Sequence, residues 1–98
     1  MTTQTMIAPT TLAVSTVAEY IVVGDDLPAT LVGGPLSGVE EIQVQTSSDQ
    51  GLTWFDLYDD GVLVKLTSTI SSITFYGQVH VGITKPITIN PVGVGINA

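Results

Sequence analysis

The chain has 98 residues, with nine acids, two lysines, no arginine and no cysteine. A formal charge of −7 excludes a sequence-independent grip on nucleic acid, which needs clustered Lys or Arg, and disfavours an anionic membrane surface. The lack of cysteine removes disulfides, thiolate metal sites and cysteine nucleophiles, and a single histidine, His80, leaves no His-pair metal site within one chain.

Only 11% of residues are charged, and the mean hydropathy is +0.46. Soluble domains usually carry about a quarter charged residues. A short domain has proportionally more surface to cover, so much of this surface must be Thr, Ser, Gly and aliphatic side chains. Such a surface often belongs against another chain.

Residues 1–16 open with four threonines and a proline in the first ten positions, and read as an extended arm ahead of one domain over 17–98. The arm is either a frayed terminus or a strand that adds to a neighbouring chain. It has no basic n-region and no continuous apolar h-region, so it does not read as a signal peptide. No stretch reaches the ~18 apolar residues of a spanning helix.

Thirteen Val, nine Ile and fourteen Thr give a strongly β composition, punctuated by ten Gly and five Pro. No window shows a clean helical repeat, so no α-helix beyond one turn is expected. Strands are expected in order over 12–15, 18–23, 29–32, 39–46, 53–58, 62–66, 70–76, 78–83, 87–89 and 92–96. Ile42 and Val44 face inward with Gln43 and Gln45 outward, and Val62, Val64 and Leu66 share one face opposite Lys65. Ile73 and Phe75 point inward, as do Val79, Val81 and Ile83, while His80 points outward. The expected fold is a small all-β antiparallel β-sandwich, Ig-like or jelly-roll-like, of about eight short strands. The last strand alternates Val92, Val94 and Ile96 with Gly93 and Gly95, and its bare glycine face calls for a cover.

Residues 47–54 fit Ser-x-Asp-x-Gly-x-Thr-Trp, the Asp-box pattern, through Ser47, Asp49, Gly51, Thr53 and Trp54. Ser47 and Asp49 can accept N–H groups of their own turn. Gly51 supplies positive φ, Thr53 resumes the strand, and Trp54 covers the turn, giving a hairpin expected to need no outside help. A sialidase reading is opposed by the single copy, by a chain too short for a propeller, and by the absence of arginine for a substrate carboxylate. The motif therefore reads as a structural hairpin.

With the flanking segments 29–46 and 54–89, this hairpin resembles the small β-sandwich domains of tailed-phage virion proteins, head decoration (cement) proteins among them. The resemblance spans about 60 residues. It departs from such domains at Gln78-Val79-His80, where an Arg often stands. It implies a viral structural protein that binds the outer capsid surface and stabilises the head. The implied partners are the major capsid protein and copies of the chain itself, commonly as a homotrimer, and the implied location is the virion. A glycan-binding or adhesion module and a tail or neck connector subunit are the alternatives.

Asp25-Asp26 and Asp56, Asp59 and Asp60 read as solvated turn residues, because neither group has EF-hand spacing. No metal and no cofactor is expected. No nucleophile elbow marks a catalytic serine, so the chain does not read as an enzyme. Trp54, Phe55, Tyr58, Phe75 and Tyr76 could supply a sugar-stacking platform, although aromatics of small sandwiches more often serve the core. All eleven charged side chains lie between Glu19 and Lys85. The neutral ends, 1–16 and 86–98, are the expected docking side, with Met6, Ile7, Pro9, Leu12, Val92, Val94 and Ile96 as candidate partner-binding residues.

Overall fold

Alternating aliphatic residues divide the strands between two antiparallel sheets. The structure is a computed structural model that describes residues 3–98. In chain order the strands are β1 (Thr3–Thr10), β2 (Val14–Val22), β3 (Ala29–Gly34), β4 (Ile42–Thr46), β5 (Phe55–Asp56), β6 (Tyr58–Asp59), β7 (Val62–Leu63), β8 (Lys65–Leu66), β9 (Ser72–Phe75), β10 (Val79–Lys85) and β11 (Val92–Asn97). One sheet runs β1-β11-β3-β9. The other runs β2-β10-β4-β5, with β8 also on β4, and β6 pairs with β7. The fold is a small all-β sandwich. Among the described residues its helical content is one 3-10 turn, Gly24–Asp26.

The inward positions are those that alternation selects. Leu31, Val92, Val94 and Ile96 of the first sheet meet Ile42, Val44, Val81 and Ile83 of the second, all fully or nearly fully buried. Ile73, Phe75 and Val79 pack against this core from its margin.

Several expected strands differ in extent. The two strands expected over 12–15 and 18–23 merge into one, β2, which leaves out Leu12, Ala13 and Val23 and pairs along β10 from Val22 opposite Val79 to Val14 opposite Lys85. Residues 39–41 stay outside β4, with Val39 95% exposed. Residues 87–89 form no strand, because Pro86 and Pro91 bracket them and Thr88 turns inward to Lys85.

Segments 53–58 and 62–66 are each broken in two. β4 explains the break: β5 pairs with it at Gln45 and Thr46, and β8 at Ile42 and Gln43. Between them Val44 bonds both strands, accepting the Leu57 N–H at 3.0 Å and donating to the Val64 carbonyl at 3.1 Å. Beyond that point β6 and β7 leave the sheet as a free hairpin, closed by Asp60 and Gly61 with φ of 52° and 78°, as a type I′ turn requires. Val62 rides on this hairpin and is exposed, so it does not join Val64 and Leu66 on one inward face.

Within the segment read as an extended arm, Thr3–Thr10 lies along β11 of its own chain as an edge strand, and β2 already begins at Val14. Met1 and Thr2 lie outside the described residues. The glycine face of β11 explains the fit. A Cβ at Gly93 would stand 3.0 Å from Pro9 Cγ, and one at Gly95 would stand 3.1 Å from the Gln4 carbonyl oxygen. The cover expected for the bare glycine face is therefore supplied in part by β1. Two register shifts, on either side of Ile7, let β1 follow that surface.

Candidate functional site

The Asp box folds as its residue types dictate, and then leans on β10. The Ser47 hydroxyl donates to Asp49 Oδ1 at 2.8 Å and accepts the Gly51 N–H at 2.8 Å, while Asp49 Oδ1 also accepts the Thr53 N–H at 2.8 Å. Gln50 and Gly51 both take positive φ, 62° and 88°. Hydrogen bonds from Thr53 first, and then from the Ser47 hydroxyl, hold the Asp49 carboxyl below the usual carboxylate range.

The hairpin is not self-sufficient. Ser47 donates its N–H to the His80 carbonyl at 3.1 Å. The Trp54 indole lies against Gly82, where a Cβ would stand only 2.4 Å from the ring. His80 stands edge-on to Trp54, with ring centroids 5.0 Å apart and planes at 72°, and its Nε2 meets Glu19 Oε1 at 3.1 Å. Glycine at position 82 is thus a seat for tryptophan. The indole is committed to this contact and does not stand free as a sugar platform, while the adjacent Phe55 is exposed.

The seven candidate partner-binding residues divide. Ile7, Val92, Val94 and Ile96 are buried between the sheets, and Met6 packs against the same core. A docking role does not fit the four buried residues: strand alternation turns them inward once β1 and β11 pair within one chain. Pro9 and Leu12 face outward. The outward side of β1 and β11 instead presents Thr3, Thr5, Gly93, Gly95 and Asn97, none of them charged.

Leu12 belongs to a feature that strand patterning did not reveal. At one end of the sandwich, β1, β3 and β10 finish and β2, β4 and β11 begin. The connections there bond to one another. Lys85 is only 3% exposed, and its ammonium donates to the Leu12 carbonyl, the Pro86 carbonyl and the Thr88 hydroxyl, each at 2.9 Å. Burial pushes its pKa down, partly opposed by the charge of Glu40. Glu40 accepts the Ser37 N–H at 2.9 Å and the Ile89 N–H at 2.8 Å. Asn90 Nδ2 donates to the Ser37 hydroxyl at 2.9 Å, and Thr88 donates its N–H to the Thr11 carbonyl at 3.0 Å.

These bonds turn the polar groups of the loops toward each other and leave their aliphatic side chains outside. Leu12 is 69% exposed, Val39 95%, Ile87 74% and Ile89 78%. The charges at this end cancel. Glu41 pairs with Lys65 at 2.6 Å, and Lys85 lies with Glu40. The other seven acids, which lie on the outer sheet face, on the β6–β7 hairpin and toward the opposite end, account for the whole formal charge of −7. The molecule therefore has a neutral aliphatic pole and an acidic remainder. The signal was present in the sequence as Val39, Ile87 and Ile89 beside Gly38, Pro86 and Pro91, with Leu12 three residues after Pro9. It could not be read without knowing that the three connections meet.

Among the described residues no group of three metal-ligating side chains converges. No helix among them is long and apolar enough to cross a membrane. No protein-family model, curated protein or solved structure matches the chain.

Proposed function

We propose that this protein acts by binding rather than by catalysis, as a decoration or cement subunit on the outer head surface of a tailed phage. Its partners are the major capsid protein and further copies of itself. The observation that carries the reading is the neutral aliphatic pole: four exposed aliphatic side chains on loops whose polar groups are internally satisfied. Exposed apolar clusters with a polar surround are typical of protein contact sites. The acidic remainder keeps the other faces in water and sets the orientation of approach.

The magnitude explains why copies matter. Burying four aliphatic side chains, on the order of 400 Å², yields about 10 kcal/mol at about 25 cal/mol per Å². Association itself costs about 4–15 kcal/mol, so one pole alone is close to balance. Several linked copies on one particle convert later contacts into intramolecular ones and make the attachment stable. The assembled shell then gains stability by mass action, since the ligand binds only the assembled form.

The test is to mix the purified protein with undecorated capsids. Co-sedimentation and a raised capsid melting temperature are expected, and the absence of both overturns the reading.

A further inference from the structure

The two sheets do not close on each other along one flank. There the edge strand β9 faces the β6–β7 hairpin across a groove of about 420 Å³. Its apolar lining comes from Leu57, Val64, Ile73, Phe75 and Val79, all of which pack on the core from its margin. Asp59 lines the same groove, and Asp60 follows it in the hairpin turn.

The free edge of β9 has a definite hydrogen-bonding phase. Gly33 donates its N–H to the Ser71 carbonyl at 3.0 Å, and β3 and β9 then pair Val32 with Ser72, Leu31 with Ile73, Thr30 with Thr74 and Ala29 with Phe75. In an antiparallel ladder the bonded pairs alternate. Ile73 and Phe75 therefore bond to β3, and the N–H and C=O groups of Ser72 and Thr74 point away from the sheet. Of the usual guards this edge has only its shortness, four residues. β1, at the other edge of the sheet, carries Pro9 and two register shifts. β9 carries neither, and residues 66–84 contain no Asp, Glu, Lys or Arg. Unpaired edges without charge, proline or bulge accept further strands.

We propose that β9 is a strand-addition site that takes an extended peptide segment of a partner protein, alternating in apolar residues and bearing a lysine or arginine. Unpaired backbone groups call for a β-strand rather than a sugar or a helix. A strand paired at Thr74 sends its inward side chains beside Ile73 and Phe75, where they fill the groove and seal the flank. Asp59 and Asp60, with no cation beside them in sequence, select a basic residue at the end of that strand. The site lies on the flank rather than at the aliphatic pole, so it does not rest on the capsid reading.

The experiment is an amide NMR titration of the full chain. The probe is a blocked heptapeptide alternating Val and Thr with lysine at both ends. Expected are shifts confined to β9 and the β6–β7 hairpin, and binding at least about tenfold weaker when the peptide ends are glutamate. Thr74→Pro removes one edge-facing N–H and spares the backbone bonds to β3, though it also removes the 3.2 Å bond between the Thr74 and Thr30 hydroxyls, and should weaken binding about tenfold. If that variant does not fold, N-methylation of alternate peptide amides tests the same bonds from the other side. The proposal is overturned by an absence of shifts at millimolar peptide, or by equal binding of the parent and N-methylated peptides. It is also overturned if shifts centre on the aliphatic pole. The same β9 shifts arising on concentrating the protein alone would make a second copy the occupant, and overturn it too.

Discussion

Gly82 shows how one position can be read only half-way from sequence. Alternation puts it on the outward face of β10, where a glycine looks like a weak point in a strand. The structure makes it the floor under Trp54. Replacing it with alanine puts a methyl group into a rigid ring, so Gly82→Ala should cost about 1–3 kcal/mol by overpacking. A lowered melting temperature together with red-shifted Trp54 emission is the expected result, and unchanged emission would show that the ring is not seated there. Asp49 was legible from its motif, and its acceptor role follows from the turn chemistry of Asp itself. Its carboxyl titrates lower in the fold than in the unfolded chain. The stability it supplies is complete above the unfolded value, about pH 4, and is lost as pH falls through the lower folded value. Asp49→Asn should therefore flatten the acid side of the denaturant-midpoint profile below about pH 4.

At the scale of elements, strand existence was readable and strand extent was not. β3, β10 and β11 sit close to where β-branched alternation puts them, because their inward residues are buried by both sheets. The segments 53–58 and 62–66 look continuous but divide at Leu57 and Val64, because Val44 can bond both strands only where they part. Such a branch is a relation among three strands, and no window of sequence contains it. The Lys85 clasp is another long-range relation, joining β10 to the connection after β1. Lys85→Met would leave the Leu12 and Pro86 carbonyls without their donor. It should lower stability by about 1–3 kcal/mol and speed hydrogen exchange at the Thr88 amide. The pH sign follows from the lowered pKa. Below its ordinary value of 10.5, and above its folded value, the unfolded chain binds more protons at this site. The wild-type fold therefore gains stability as pH rises through that alkaline window, and the methionine variant should lack the gain.

At the scale of the whole molecule, the distribution of charge is the organising fact. Ile87 and Ile89 are exposed and touch no core cluster, so exchanging both for serine should change stability by no more than about 0.5 kcal/mol per site. The same exchange should abolish co-sedimentation with undecorated capsids, if the aliphatic pole is the seat. Retained binding by the double variant would move the seat elsewhere. The neutral chain ends were expected to form the docking side, and the fold divides them. Residues 86–91 and Leu12 meet at the aliphatic pole, while Thr3 and Asn97 pair at the opposite end of the sheet.

Composition, alternation and the Asp-box spacing alone determined the all-β class, the inward residues of the long strands and the chemistry of the hairpin at Ser47 and Asp49. These depend on nearest neighbours and on a period of two, which a sequence carries in full. The tertiary structure decided the seat of Trp54, the branch at Val44, the free edge of β9 and the neutral pole. Each is a meeting of residues tens of positions apart, fixed by which strands pair and in what register, and pairing is settled by burial across the whole sandwich rather than within any one segment.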